Sequence, residues 1–454
     1  MTGYRSAVEQ LHQLGFELGR SSGRKFDLEL VRVLLQALDH PERRFAAVLV
    51  AGTNGKGSTA ATLASILRAA GHRCGLYTSP HLLRVNERIR VDGEEIGDEE
   101  FAAVYDRVEA VVRQLITAGK LPWHPSFFET LTAMAFTHFA GRGIAVGVLE
   151  VGMGGRLDAT NVVEPLLAVI TDIALDHEKF LGHTISEIAR EKAGIIRPGG
   201  IVITLPQHPE ANEVIGKTVL ECGAEAISAA PFVPPLCPGA MPRERTCYPL
   251  EVLGERIEVD SPLAGRHQWR NLALAIAAAG QMSRLGWNLS PQDVARGIRQ
   301  THWPGRFEVL AANPAAGLPE IVLDVAHNPA GAWALRAALS DRYLNAETGR
   351  APEGLVLLFG TMRDKAIREI VSILFPLAWQ AIVTRADTPR SATPEEIRDL
   401  AGGLGGTMEA EPSVAAGLER AFSRAGAGGV VVITGSIYVV GEAMAALRAR
   451  RAVA

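Results

Sequence analysis

The sequence predicts an α/β protein with mainly parallel sheets, divided into a larger first domain and a smaller second one. Three observations carry that expectation. Short apolar runs alternate with stretches of helical periodicity through most of the chain. One stretch, FAAVLVAGTNGKGSTAATLASIL over Phe45–Leu67, reads as an apolar strand, a glycine-rich turn and a helix. The alternation breaks at THWPGRFEVL, Thr301–Leu310, where Pro and Gly interrupt it, and then restarts.

The elements follow in order. Strands are expected at Ala46–Ala51, Cys74–Thr78, Ile144–Glu150, Leu167–Thr171 and Ile201–Thr204. TISEIAREKAG, Thr184–Gly194, reads as a helix, with Thr184 and Glu187 spaced as a capping box and Gly194 as the stop. PFVPPLCPGAMPR, Pro231–Arg243, reads as irregular chain, and a helix follows near Trp269–Leu285. Beyond the break, strands are expected at Glu320–Val325, Gly354–Gly360, Gln380–Thr384 and Gly429–Thr434. TPEEIRDLAGG opens a helix, with Thr393 as N-cap, Pro394 at its first position and Glu396 completing a box. The domains are therefore placed at 1–303, a P-loop-type domain with a mainly parallel sheet, and 304–454, a Rossmann-like one.

Composition bounds the function. The chain has 454 residues, 47% of them hydrophobic, which is enough for a large core. Its 46 basic and 50 acidic side chains give no basic excess, which argues against nucleic-acid and membrane-surface partners. No apolar run approaches the roughly 20 residues that cross a bilayer, and MTGYRSAVEQLHQLGF lacks a signal-peptide core. Cys74, Cys222, Cys237 and Cys247 form no CxxC pair and read as reduced thiols. A cytoplasmic monomer is expected.

The turn GTNGKGS departs from the usual G-x-x-x-x-G-K-[ST] spelling, since Gly57 separates Lys56 from Ser58. The physics of a phosphate cradle remains. Gly52, Gly55 and Gly57 let backbone N–H groups converge on an anion, and the helix that follows points its positive end at it. Lys56 adds a mobile charge, and Ser58 or Thr59 a hydroxyl. A ligand-free strand–helix turn is the plain alternative.

At these residues a resemblance appears. GTNGKGS resembles the phosphate loop of the Mur ligase superfamily, in the branch of the dihydrofolate synthase/folylpolyglutamate synthases. YTSPHLLRVNERIRV (Tyr77–Val91), LEVGMGGRLDATN (Leu149–Asn161), ALDHEKFLG (Ala174–Gly182), EKAGIIRPG (Glu191–Gly199), PGRFE (Pro304–Glu308), DVAHNP (Asp324–Pro329) and PRSATPEE (Pro389–Glu396) match blocks of that family in order. They span most of the chain.

The resemblance implies roles. ATP would be held by Gly52, Thr53, Asn54, Gly55, Lys56, Gly57, Ser58 and Thr59, with Asn271, Arg306, Asp324 and His327. Ser79, Glu150, His177 and Lys192 would hold Mg²⁺, two ions in all, Lys192 after carbamylation, which turns a cation into a carboxylate-like ligand. Lys56, Glu150, His177 and Lys192 would carry the chemistry. Read from the residues alone, Glu150 is a strand-end carboxylate, Lys192 an exposed helix lysine, Asn271 a helix cap and Arg306 a linker arginine.

On the substrate side, KFDLELVRV resembles the family's N-terminal block, giving Phe26, Asp27 and Leu28. SFFET gives Ser126, Phe127, Phe128 and Glu129, whose aromatic faces suit a pterin as well as a core. Leu157, Asp158 and Ala159 complete the set, with Asp158 hydrogen-bonding the pterin's amino group.

In the similar enzymes a carboxylate takes the γ-phosphoryl group of ATP, and the amine of L-glutamate then displaces phosphate. The expected substrates are dihydropteroate, reduced folates, L-glutamate and ATP. Three alternatives stay open: a folylpolyglutamate synthase only, a Mur-type peptide ligase, and a nucleotide-binding regulator without ligase activity.

Overall fold

The computed structural model describes residues 2–15, 27–235, 245–313, 317–343, 354–402 and 408–453. The chain forms two compact units. One is built from Met1–Val233, Pro249–Glu258 and Arg270–Thr301, the other from Pro234–Tyr248, Val259–Trp269 and His302–Ala454. The units part at Thr301/His302, within the Pro/Gly break. Two short upstream segments also join the second unit, which a single cut at 303/304 does not capture.

The strands of the first unit's sheet are β1 (Ala46–Ala51), β2 (Cys74–Tyr77), β3 (Ile89–Val91), β4 (Glu94–Glu95), β5 (Val146–Glu150), β6 (Pro165–Ile170), β7 (Ile201–Thr204) and β8 (Glu225–Ser228). Their order is β4-β3-β2-β5-β1-β6-β7-β8. The six from β2 to β8 are parallel, while β3 and β4 add antiparallel at one edge. β1 lies between β5 and β6, with Val50 opposite Glu150 and Ala51 opposite Ile170. Helices cover both faces of such a sheet, so its inner strands read as continuous apolar runs. That is why the sequence showed them. The strands it did not show are short or polar: β8 is largely exposed and β4 has two residues.

β9 (Thr246–Val252) and β10 (Glu255–Ser261) form a separate two-stranded sheet. Buried and exposed residues alternate along both, which is a legible strand pattern. Their two-residue connection, Leu253 at φ 53° and Gly254 at φ 83°, has the two positive φ values of a tight hairpin turn. Leucine is not a residue that announces such a turn, so the sequence signals the strands but not the hairpin.

The second unit's sheet comprises β11 (Glu308–Leu310), β12 (Glu320–Leu323), β13 (Leu355–Phe359), β14 (Gln380–Val383), β15 (Met408–Ala410) and β16 (Val430–Thr434), in the order β11-β12-β16-β13-β14-β15. All pairings are parallel except β11 with β12. The expected capping boxes at Thr184/Glu187 and Thr393/Glu396 are both formed. Most of the proline-rich stretch, with Cys237, lies outside the described residues, as does Phe26.

Candidate active site

The turn after β1 is held open by close packing at two glycines. A Cβ on Gly52 would lie 1.8 Å from Thr171 Oγ1, and one on Gly55 would lie 2.1 Å from Asn271 Oδ1. Both residues also have positive φ, 148° and 89°. Gly55 caps the helix Lys56–Ala69 without any side-chain hydrogen bond. The first-turn amides of Lys56, Gly57 and Ser58 have no acceptor within the helix, by helix geometry, and an end of this kind favours an anion.

The rest of the loop is spent on holding itself in place. The Thr53 and Asn54 amides both donate to the Asp172 carbonyl oxygen, at 2.8 and 3.2 Å. Thr53 Oγ1 donates to the Ala174 carbonyl and accepts from its amide, each at 3.0 Å. Thr53 is thus a clamp, and the cradle narrows to the first turn of the helix. Lys56 Nζ donates to the Thr53 carbonyl at 3.2 Å. Ser58 and Thr59 are buried, and Thr59 Oγ1 reaches the Asn271 carbonyl at 3.4 Å.

Glu150 ends β5 beside the loop and is buried. Its Oε2 accepts from the Ser79 amide at 3.2 Å, so those two expected metal ligands are adjacent. Lys192 is not the exposed helix lysine that composition favours. It is buried at 4% exposure, and its Nζ donates to the Gly52 carbonyl at 2.7 Å. Burial first, and then the charge of Lys56, pull its ammonium down to about 7 from the ordinary 10.5. His177 follows buried Asp176 and caps the short helix Glu178–Leu181 at φ 52°, a left-handed conformation that histidine tolerates better than most residues. Among the described residues no three His, Cys, Asp or Glu side chains converge to hold a metal.

Asn271 is not a helix cap. The helix runs Arg266–Arg284, which puts Asn271 in its second turn, buried against Gly55. Next to it, Arg270 grips Asp172 with two nitrogens at 2.6–3.0 Å.

In the second unit, Asp324 follows β12 and is buried. It accepts from the amides of Phe307 (2.8 Å) and Ala326 (2.9 Å). Burial raises its pKa, opposed by His267, by those amides and by Arg306. Arg306 bends back on the Pro304 and Gly305 carbonyls. His327 Nδ1 lies 2.9 Å from the Val325 carbonyl. A carbonyl oxygen only accepts, so that contact needs the proton on Nδ1.

The expected substrate residues look different. Ser126 and Glu129 form a capping box for the helix Phe127–Arg142: Ser126 Oγ accepts from the Glu129 amide, and Glu129 Oε2 from the Ser126 amide at 2.7 Å. The S-x-x-E spacing is the sequence signal for this box. Phe127 is 4% exposed, stacked on His12 and covered by the Arg88 guanidinium, so it is core. Phe128 is half-buried, close enough to Gly152 that a Cβ there would sit 2.5 Å from its ring. Asp158 is buried and accepts from the Met153 amide and from the Thr160 amide and hydroxyl, at 2.6–3.0 Å. Burial raises its pKa against those bonds. Leu157 is half-buried, and Ala159 opens the short turn that Asp158 caps. Asp27 is exposed and accepts from the Glu29 amide, and Leu28 is buried.

Comparison with known proteins places this arrangement. The Mur ligase middle domain matches residues 101–279, and the Mur ligase glutamate ligase domain matches residues 305–437. The protein is therefore an ATP-dependent ligase, in two α/β units. It is 33% identical over 452 residues to the Bacillus subtilis dihydrofolate synthase/folylpolyglutamate synthase, covering 97% of this chain and 98% of that one. The Escherichia coli enzyme of the same name is 31% identical over 99% of this chain and 96% of its own. Among solved structures, Mycobacterium tuberculosis folylpolyglutamate synthase with ADP and AMPPCP superposes with a TM-score of 0.82 at 30% identity, covering 97% of this chain and 98% of that one. E. coli FolC in complex with DHPP and ADP gives 0.82 at 30% over 99% of both. The chain belongs to the dihydrofolate synthase/folylpolyglutamate synthase family, as its sequence blocks implied. It spans 48% of the Haloferax volcanii probable bifunctional folylpolyglutamate synthase/dihydropteroate synthase, with 36% identity. Among the described residues no helix is long and apolar enough to cross a membrane.

Proposed function

We propose that this ligase adds L-glutamate both to dihydropteroate and to the γ-carboxylate of reduced folates, with ATP as the phosphoryl donor. The observation that carries the reading is the joining of Lys192 to the phosphate loop, within a chain of this family. A substrate carboxylate oxygen attacks the γ-phosphorus, and the bond to the bridging oxygen breaks to release ADP. The amine of glutamate then attacks the acyl carbon, loses a proton, and phosphate departs with the bond's electrons. The protein positions groups and neutralises charge. The first-turn amides and Lys56 do this for the phosphates.

Oxygen donors suit a hard divalent ion, and the buried Glu150 carboxylate beside Ser79 supplies them at the loop's edge. Mg²⁺ held there would draw on phosphate oxygens and water for the rest of its shell, and would neutralise charge on the phosphates. The family resemblance adds His177 as a further ligand. Lys192, whose amine is partly neutral near pH 7, can add to CO₂. The nitrogen–carbon bond forms, a proton leaves, and an anionic carbamate stands where an ammonium would repel a metal.

The test is phosphate release with Mg·ATP, L-glutamate and either dihydropteroate or tetrahydrofolate. Release with both supports the dual reading. Release with tetrahydrofolate only makes the protein a folylpolyglutamate synthase. Release only with a UDP-sugar peptide restores the Mur-type alternative, and ATP binding without any glutamate-dependent release restores the regulator.

A further inference from the structure

We infer that Arg270 and Asp172 act as a pair of positioning residues that set the phosphate loop for nucleotide, an inference that rests on that loop being the nucleotide site. The ion pair is bidentate, with Arg270 Nε at 2.9 and 3.0 Å from the two Asp172 oxygens and Nη2 at 2.6 Å from Oδ1. Nη2 also donates to the Pro206 carbonyl at 2.9 Å, which fixes the guanidinium from a second side.

Asp172 acts on the loop through its backbone. Its single carbonyl oxygen takes both the Thr53 and the Asn54 amides. The Thr53 peptide is thereby oriented, and its own carbonyl receives Lys56 Nζ. The path from Arg270 to the phosphate-neutralising cation is therefore one ion pair, one shared carbonyl and one peptide. The residues around Asp172 are also pinned: Gln207 accepts from the Ile173 amide at 2.8 Å and donates to the Thr171 carbonyl at 3.1 Å. A change at Asp172 therefore has little slack to disappear into.

The helix grips the loop twice. Arg270 holds its Thr53–Asn54 side through Asp172. The neighbouring Asn271 abuts Gly55, and its carbonyl faces Thr59 Oγ1 at 3.4 Å. Two consecutive residues of one helix thus set both shoulders of the turn. A planar fork does this where an ammonium could not, because the bidentate geometry fixes direction as well as distance.

ADP affinity of the full chain is to be measured by calorimetry for Arg270→Ala, Asp172→Ala, the double variant, Arg270→Lys and Lys56→Ala, with melting temperatures alongside. Arg270→Ala and Asp172→Ala should each weaken ADP about tenfold, and the double variant no more than either, as for two residues acting as one unit. Arg270→Lys should recover only part of the loss. KM for the folate should move less than twofold, as a loop effect confined to the nucleotide requires. Single effects that add in the double variant would overturn the pairing. Wild-type ADP affinity in both single variants, with Lys56→Ala impaired, overturns the inference and leaves the nucleotide site standing. Unchanged affinity in Lys56→Ala removes the nucleotide site and the inference together.

Discussion

The sequence leads one to expect ligand binding both at the phosphate loop and at the segments around Ser126 and Asp158, and the structure uses their polar groups in opposite ways. At the loop, the first-turn amides of Lys56–Ser58 have no acceptor inside the helix, and burial lowers the Lys192 ammonium to about 7. At 126–129 and 158–160 the hydroxyl, carboxylates and amides have already found one another. A binding site for charge has to leave hydrogen-bonding capacity unspent, whereas a segment that shapes a pocket spends it on its own backbone. Phe128 and Leu157 are the half-buried side chains of the second set.

That contrast can be broken by substitution. The largest effect belongs to Lys192→Ala, which should lower turnover about a hundredfold or more while circular dichroism stays native, with partial rescue by short-chain carboxylates. Full activity would take Lys192 out of the chemistry. Glu150→Gln should follow, with an activity loss of about tenfold or more that excess Mg²⁺ partly offsets. Near-normal turnover at low Mg²⁺ would remove the residue from metal binding.

Asp158→Ala should behave otherwise. It strips the acceptor from the Met153 and Thr160 amides, so unfolding by urea should show a loss of about 1–3 kcal/mol. Both ligase reactions should decline together. A selective loss with dihydropteroate would return Asp158 to the pterin. Ser126→Ala should cost about 1 kcal/mol as an ordinary cap loss, with KM values unchanged.

The pH profile of stability, measured without CO₂ or nucleotide, tests Lys192 by a route independent of turnover. Its amine titrates near 7 when folded and near 10.5 when free, so between these values the unfolded chain holds the extra proton. The free energy of unfolding should therefore rise with pH across that window, more steeply than in Lys192→Met. Parallel curves would show an amine that is not buried in solution.

How much of this was legible depends on what kind of group carries it. The parallel strands could be read because burial on both faces demands continuous apolar runs, as in β1 and β13. The phosphate loop could be read because backbone geometry demands glycine at named places. Asp172 could not, since it works on the loop through a carbonyl that every residue possesses. Lys192 was visible through its family block, but its burial was not, because a helix lysine carries no mark of what lies above it. Ser126 and Glu129 are legible as a capping box, which the structure forms. Their spacing is that of such a box, while the aromatic residues between them equally suit stacking or a core.

The fit of Gly55 against Asn271 has a consequence for how this sequence can drift. A methyl group at 55 has no room unless the amide at 271 withdraws, and the φ of 89° adds a second objection to any side chain. The two positions, 216 residues apart by their numbering, are one unit of variation. In a library randomised at both, survivors carrying alanine at 55 should also carry a smaller residue at 271, and the pair should be inherited together.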